Sequence, residues 1–256
     1  MRIRSIAALL CTVALATGCD KQGPQDITGS LPGSRIKFFN FAVGGPGVNF
    51  YANDSKVTAI SSTTGAESAT GTTYGNAAAG GYYSALTPGQ YSFSGRIAAA
   101  TDKDLPIATV SSTLADGKSY SVYLSGFYDA ATKKADAFVV EDTYPDQIDF
   151  SGPYVRFVNA IGNSSPMTLY AKSTVTGVET AIGGPVPYKG AGAFTKLPSG
   201  AYDLSARVAG SSTNAIVRTG VSFNNGITYT ISARGDITVT STTAANRPFL
   251  DNTANR

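Results

Sequence analysis

Few side chains in this 256-residue sequence could do chemistry, and each candidate comes with a neighbourhood that narrows its role. Four carboxylates, Glu141, Asp142, Asp146 and Asp149, crowd into one short stretch. Crowded oxygen ligands are what a calcium ion takes, so the stretch is a calcium candidate, with a solvated acidic linker as the alternative; its spacing follows no EF-hand loop. The same carboxylates would serve as an acid/base pair for glycoside cleavage only across a walled cleft. Ser34 and Lys37 stand in a Ser-x-x-Lys spacing, but they open an alternating strand and no Ser-Asp-Asn or Lys-Thr-Gly segment accompanies them. Gly117-Lys118-Ser119 copies the end of a phosphate loop, yet Ser112 occupies the place of its first glycine, so a turn is the better reading.

Tyrosine and phenylalanine are the remaining candidates, with 14 and 12 copies. Tyr82-Tyr83 and Phe127-Tyr128 place consecutive rings on opposite faces of a strand, which exposes one of each pair. Tyr91, Tyr120, Tyr202 and Tyr229 read as core or corner residues. Tyr74 and Tyr188 occupy loops and could stack on a sugar ring, making them the candidate ligand contacts, with packing as the other role. The stretch from Ser61 to Gly81 is rich in Ser, Thr, Gly and Ala and reads as a long mobile loop and a candidate contact surface.

Composition limits the chemistry further. The chain has no His and no Trp, and its two cysteines are Cys11 and Cys19. Beyond Cys19 there is therefore no disulfide pair, no thiolate metal site and no nucleophile arrangement that needs an imidazole base. No cofactor is expected. Without Arg2 and Arg4 the 20 basic residues fall to 18 against 17 acidic, so the pI of about 8.8 marks a near-neutral surface. That gives no electrostatic footprint for nucleic acid. With 28 Gly and only Glu67, Glu141 and Glu179 as glutamates, the chain favours short strands and tight turns over long helices.

Cys19 explains the N-terminus. Arg2 and Arg4 precede the apolar run Ile6 to Leu15, too short for a stable transmembrane helix. Leu15-Ala16-Thr17-Gly18-Cys19 then resembles a bacterial lipobox, with Ala16 where Leu is usual. The resemblance implies a signal peptide over 1–18, acylation of Cys19 and a tether over 19–33. Acyl chains at ~0.8 kcal/mol per buried methylene hold such a protein to a membrane. The expected location is the bacterial cell envelope, at the inner or outer membrane and facing periplasm or exterior; Asp20 resembles an inner-membrane retention signal.

The rest of the chain contains its own copy. Ile36-Lys37-Phe38-Phe39-Asn40 matches Val155-Arg156-Phe157-Val158-Asn159, and Val48-Asn49-Phe50-Tyr51-Ala52 matches Met167-Thr168-Leu169-Tyr170-Ala171. Leu86 to Phe93 matches Leu197 to Leu204, and Leu114 to Val122 matches Phe223 to Ile231. Ordered matches of this kind mean a duplicated domain, with one repeat over 34–144, a junction over 145–152, a second repeat over 153–243 and a tail over 244–256. Ile36 and Phe38 share one strand face, with Arg35 and Lys37 on the other. Asp116-Gly117 and Asn225-Gly226 read as hairpin turns that need positive φ. The fold expected is all-β: two tandem antiparallel Ig-like sandwiches.

These shared motifs, including Tyr74-Gly75 before Tyr83, Tyr188-Lys189-Gly190 before Phe194 and the paired Leu-x-x-Gly-x-Tyr turns, resemble the bacterial domain of unknown function 4397. The resemblance implies secreted or lipid-anchored tandem β-domains and leaves their activity open. Together the residues lead to a non-enzymatic, lipid-anchored envelope protein acting as a binding or spacer module. The alternative is a glycan-binding lipoprotein, and carboxylate-based hydrolysis is a third reading. The expected partners are the membrane, through the lipid, and an envelope protein or a glycan.

Overall fold

A computed structural model of the chain describes residues 33–58, 64–145 and 147–255; the signal, Cys19 and the tether lie outside them. The first repeat contributes β1 (Ser34–Asn40), β2 (Val48–Ala52), β3 (Ser55–Lys56), β4 (Asn76–Ala77), β5 (Ser84–Leu86), β6 (Gly89–Ile97), β7 (Pro106–Leu114), β8 (Ser119–Asp129) and β9 (Lys134–Glu141). The second contributes β10 (Tyr154–Asn159), β11 (Met167–Ser173), β12 (Glu179–Val186), β13 (Gly190–Ala191), β14 (Thr195–Lys196), β15 (Gly200–Val208), β16 (Ile216–Phe223), β17 (Thr228–Arg234) and β18 (Phe249–Ala254).

Each repeat is a sandwich of two sheets, and the two sandwiches share one topology. Sheet order β4-β1-β8-β9, with β5 also on β1, faces β3-β2-β6-β7; the copy has β13-β10-β17-β18, with β14 on β10, facing β12-β11-β15-β16. Ile36, Phe38, Phe50, Phe93 and Leu124 fill the first core, and Val155, Phe157, Leu169, Leu204 and Ile231 fill the second. The corner tyrosines behave as expected: Tyr91 and Tyr202 donate to the carbonyls of Thr87 and Pro198, while Tyr120 and Tyr229 accept from the amides of Ala115 and Asn224.

Three expectations are corrected. The sheets are not purely antiparallel, because β1 runs parallel to β8 and β10 parallel to β17. Gly117 and Gly226 do take positive φ, at 71° and 75°, but their turns close no hairpin. Each carries the chain from one sheet to the other, since β7 pairs with β6 and β8 with β1 and β9. Finally, the C-terminal segment is no tail over its whole length: β18 pairs along β17 from Tyr229↔Ala254 to Arg234↔Phe249. It is the counterpart of β9, and Leu250 belongs to the second core.

A third apolar cluster lies between the sandwiches. Phe39, Phe41, Tyr123, Phe138 and Val140 of the first repeat gather with Val158 and Ala160 of the second. Tyr123 stacks between Phe39 and Phe138, with ring centroids 4.6 and 4.9 Å away. The sheets holding β1 and β10 therefore pack on each other through the faces turned away from their own cores. This explains why β8 is buried over eight successive residues, a run that a half-exposed strand would interrupt at every second position.

Candidate functional site

The charged groups with the most chemical potential converge at this seam. Register places Lys37 opposite Ser121 and Arg156 opposite Thr230, so the two cations hold equivalent positions in the two repeats. Both are 1 % exposed. Asp142, just beyond β9, bonds its amide to the Ser119 carbonyl, and Asn255, just beyond β18, bonds to the Thr228 carbonyl in the same way. Each cation crosses to the other repeat. Arg156 pairs with Asp142 and donates to the Glu141 carbonyl at 3.0 Å, while Lys37 donates to Asn255 Oδ1 at 2.7 Å.

The cluster is closed by neighbours at matching places. Tyr83 and Ser121 donate to Asp142 Oδ2 at 2.6 and 2.8 Å, and Arg156 Nε and Asn255 Nδ2 both donate to Thr230 Oγ1. Lys37 Nζ lies 4.1 Å from the Tyr83 ring centroid, and the Arg156 guanidinium lies 4.9 Å from that of Phe194. Burial, offset in part by Asp142 and deepened by Arg156, lowers Lys37 to about 8. The Tyr83 hydroxyl is pushed far above its usual range by burial and then by Asp142. Reciprocal contacts, in which one residue meets a second residue of the other copy and the second meets the first, are how identical subunits dock, and here two copies in one chain dock that way.

The sequence candidates fall around this seam. Tyr188 is half-buried, and its hydroxyl bonds Ser125 at 2.9 Å and Asp136 at 2.8 Å in the other repeat. Tyr74, its equivalent, reaches the other way, with the Arg234 guanidinium 5.2 Å from its ring centroid and beside its buried hydroxyl. Both rings are half-buried and lean on residues of the other repeat.

The acidic candidates do not converge. Asp142 is turned inward onto Arg156, Glu141 pairs at the surface with Lys118 at 3.4 Å, and Asp149 pairs with Lys196 at 2.7 Å. Lys196, followed by the Ser151 hydroxyl, holds the Asp149 carboxyl well below the usual carboxylate range. Asp146 lies outside the described residues, and among these no group of three or more acidic side chains is placed to hold a metal. Each of the three described carboxylates answers a different cation. Ser34 donates to the Leu86 carbonyl and Lys37 is committed to the seam, so the Ser-x-x-Lys spacing forms no couple. Of the Ser61 to Gly81 loop, residues 64–81 are described, and they include β4 and a short 3-10 turn at Ala78–Gly81.

No family model matches the chain, and no curated protein matches it. Among solved structures it is similar to the Bacillus anthracis TIE protein at 15 % identity and a TM-score of 0.22, covering 78 % of this chain and 33 % of that one. It is also similar to a putative cell adhesion protein from Bacteroides ovatus at 12 % identity and a TM-score of 0.24, covering 89 % and 97 %. The chain thus spans about a third of the first of these.

Proposed function

We propose that this chain is a non-enzymatic, lipid-anchored protein of the bacterial cell envelope whose two sandwiches act as one rigid binding or spacer module. The observation that supports it best is the seam. Lys37, Arg156, Asp142 and Tyr188 bond from one repeat to the other, and Tyr83 closes over Lys37 and Asp142. Sealing two sandwiches through buried, hydrogen-bonded charge fixes their mutual orientation, as a spacer or presenting scaffold requires. The resemblance of the Cys19 segment to a lipobox supplies the anchor.

The test is mass spectrometry of the N-terminal peptide from the full chain expressed in bacteria, with fractionation of the cells. The expected result is a diacylglycerol thioether on Cys19 and recovery with membranes, with Cys19→Ala left unprocessed. Unmodified Cys19 in a cytosolic product would overturn the anchored reading, and turnover of a substrate by the purified protein would overturn the non-enzymatic one.

A further inference from the structure

The pseudo-twofold seam has two equivalent flanks, and they are not filled alike. On one, Phe138 stacks on Tyr123 and meets the Tyr188 ring edge-on at 6.5 Å, so aromatic rings occupy the space. On the other, register puts Asp251 in the place of Phe138, because Tyr123 pairs with Phe138 and its counterpart Ser232 pairs with Asp251. The connection beside this flank also differs. Ala78 to Tyr83 join β4 to β5, whereas only Gly192 to Phe194 join β13 to β14.

The longer connection turns through Ala79 at φ 49° and Gly80 at φ 67°, a left-handed conformation that costs an alanine free energy. It leaves a cavity of about 310 Å³ lined by Phe39, Phe41, Asn76, Tyr82, Asp251 and Asn252. Tyr82 is 79 % exposed at this cavity, the most exposed aromatic ring among the described residues. Asn252 Oδ1 is buried with no hydrogen-bond partner, and Asp251 takes Arg234 Nε on Oδ2 only.

We propose that this cavity binds one pyranose ring of a glycan. An apolar ring face suits Tyr82, in the way that aromatic rings take C–H surfaces. Sugar hydroxyls are the donors that the second Asp251 oxygen lacks, and a hydrogen bond to a charged acceptor is stronger than one between neutral groups. The volume sits at the small end of the ligand range, enough for a single ring with the rest of the chain leading out to solvent. The carboxylate turns away phosphate and sulfate. This site adds a ligand class to the module reading but does not depend on the lipid.

The test uses the full chain in a zwitterionic detergent without a sugar headgroup. Saturation-transfer NMR and calorimetry are run against N-acetylglucosamine, glucose, galactose and their β-linked dimers, which separates cell-wall-type sugars from neutral hexoses. At least one sugar is expected to bind, Tyr82→Ala to weaken it about tenfold or more, and Tyr82→Phe to retain it. Asp251→Asn is expected to weaken it as well, while Phe150→Ala, at an exposed ring elsewhere, leaves it unchanged; near-parental melting shows that each variant is folded. Absence of binding by any of these sugars with a Kd below roughly 10 mM, or binding indifferent to both Tyr82→Ala and Asp251→Asn, would overturn the site. Lipid on Cys19 is read separately, so either proposal can fail alone.

Discussion

Asp142→Asn isolates the electrostatics of the seam. Asp142 is buried, pairs with Arg156, accepts from Tyr83 and Ser121, and acts on Lys37 through space. Asparagine keeps the shape and one acceptor oxygen, so the hydrogen bonds from Tyr83 and Ser121 can persist. The charge does not. Arg156 and Lys37 are then buried cations facing neutral groups, and breaking a buried pair by removing one partner costs about 3–5 kcal/mol. At roughly 2–4 °C per kcal/mol for a chain of this size, the melting temperature should fall by about 10 °C. Glu141→Gln is the control one residue away, where the exposed pair with Lys118 contributes at most ~1 kcal/mol. Both variants are melted beside the parent by near-UV circular dichroism at one pH and salt. If Asp142→Asn melts within about 2 °C of the parent, or Glu141→Gln falls as far, the seam is not held by this charge.

Lys37 gives a pH signature. With its pKa lowered from 10.5 to about 8, the native state loses the proton before the unfolded state does, so stability rises with pH between these values and is lost as pH falls through about 8. The gain reaches ~2 kcal/mol by pH 10, above which the raised Tyr83 works the other way because the unfolded tyrosine ionises first. Urea melts from pH 7 to 11 should show that rise and turnover, and an undiminished rise in Lys37→Met would refute the assignment to Lys37. Tyr188→Phe gives up its bonds to Ser125 and Asp136 and should lose ~1 kcal/mol, read by urea titration. In the first core, a Cβ on Gly95 would lie 2.4 Å from Leu124 Cδ1. Gly95→Ala should therefore destabilise by about 1–3 kcal/mol, and a double-mutant cycle with Leu124→Ala should show coupling; additive effects would argue against that contact.

The duplication, the strands and the corner tyrosines were legible because each leaves a local mark: ordered matches, alternation, and a tyrosine at a fixed offset from a turn. Tyr82 is exposed beside half-buried Tyr83 as expected, but the pair lies in the connection before β5 and not on a strand. The seam was not legible. Alternation separates Ile36 and Phe38 from Lys37 and Phe39, but it does not tell that a second sheet covers the outer face. A lone lysine on that face reads as solvated, and Asp142 reads as part of an acidic linker until Arg156 is seen beside it. The last strand was hidden for a different reason. Gly235 to Pro248 separate β17 from β18, where Ala130 to Lys133 separate β8 from β9, so the long insertion breaks the self-match before Phe249. The flank cavity arises from such a length difference as well, between the two connections that follow β4 and β13.

Differential scanning calorimetry of the full chain tests most directly whether the two sandwiches form one body. A single endotherm, with equal calorimetric and van't Hoff enthalpies and with Asp142→Asn moving it as a whole, is the predicted result. Two resolved transitions, only one of them shifted by Asp142→Asn, would contradict the account.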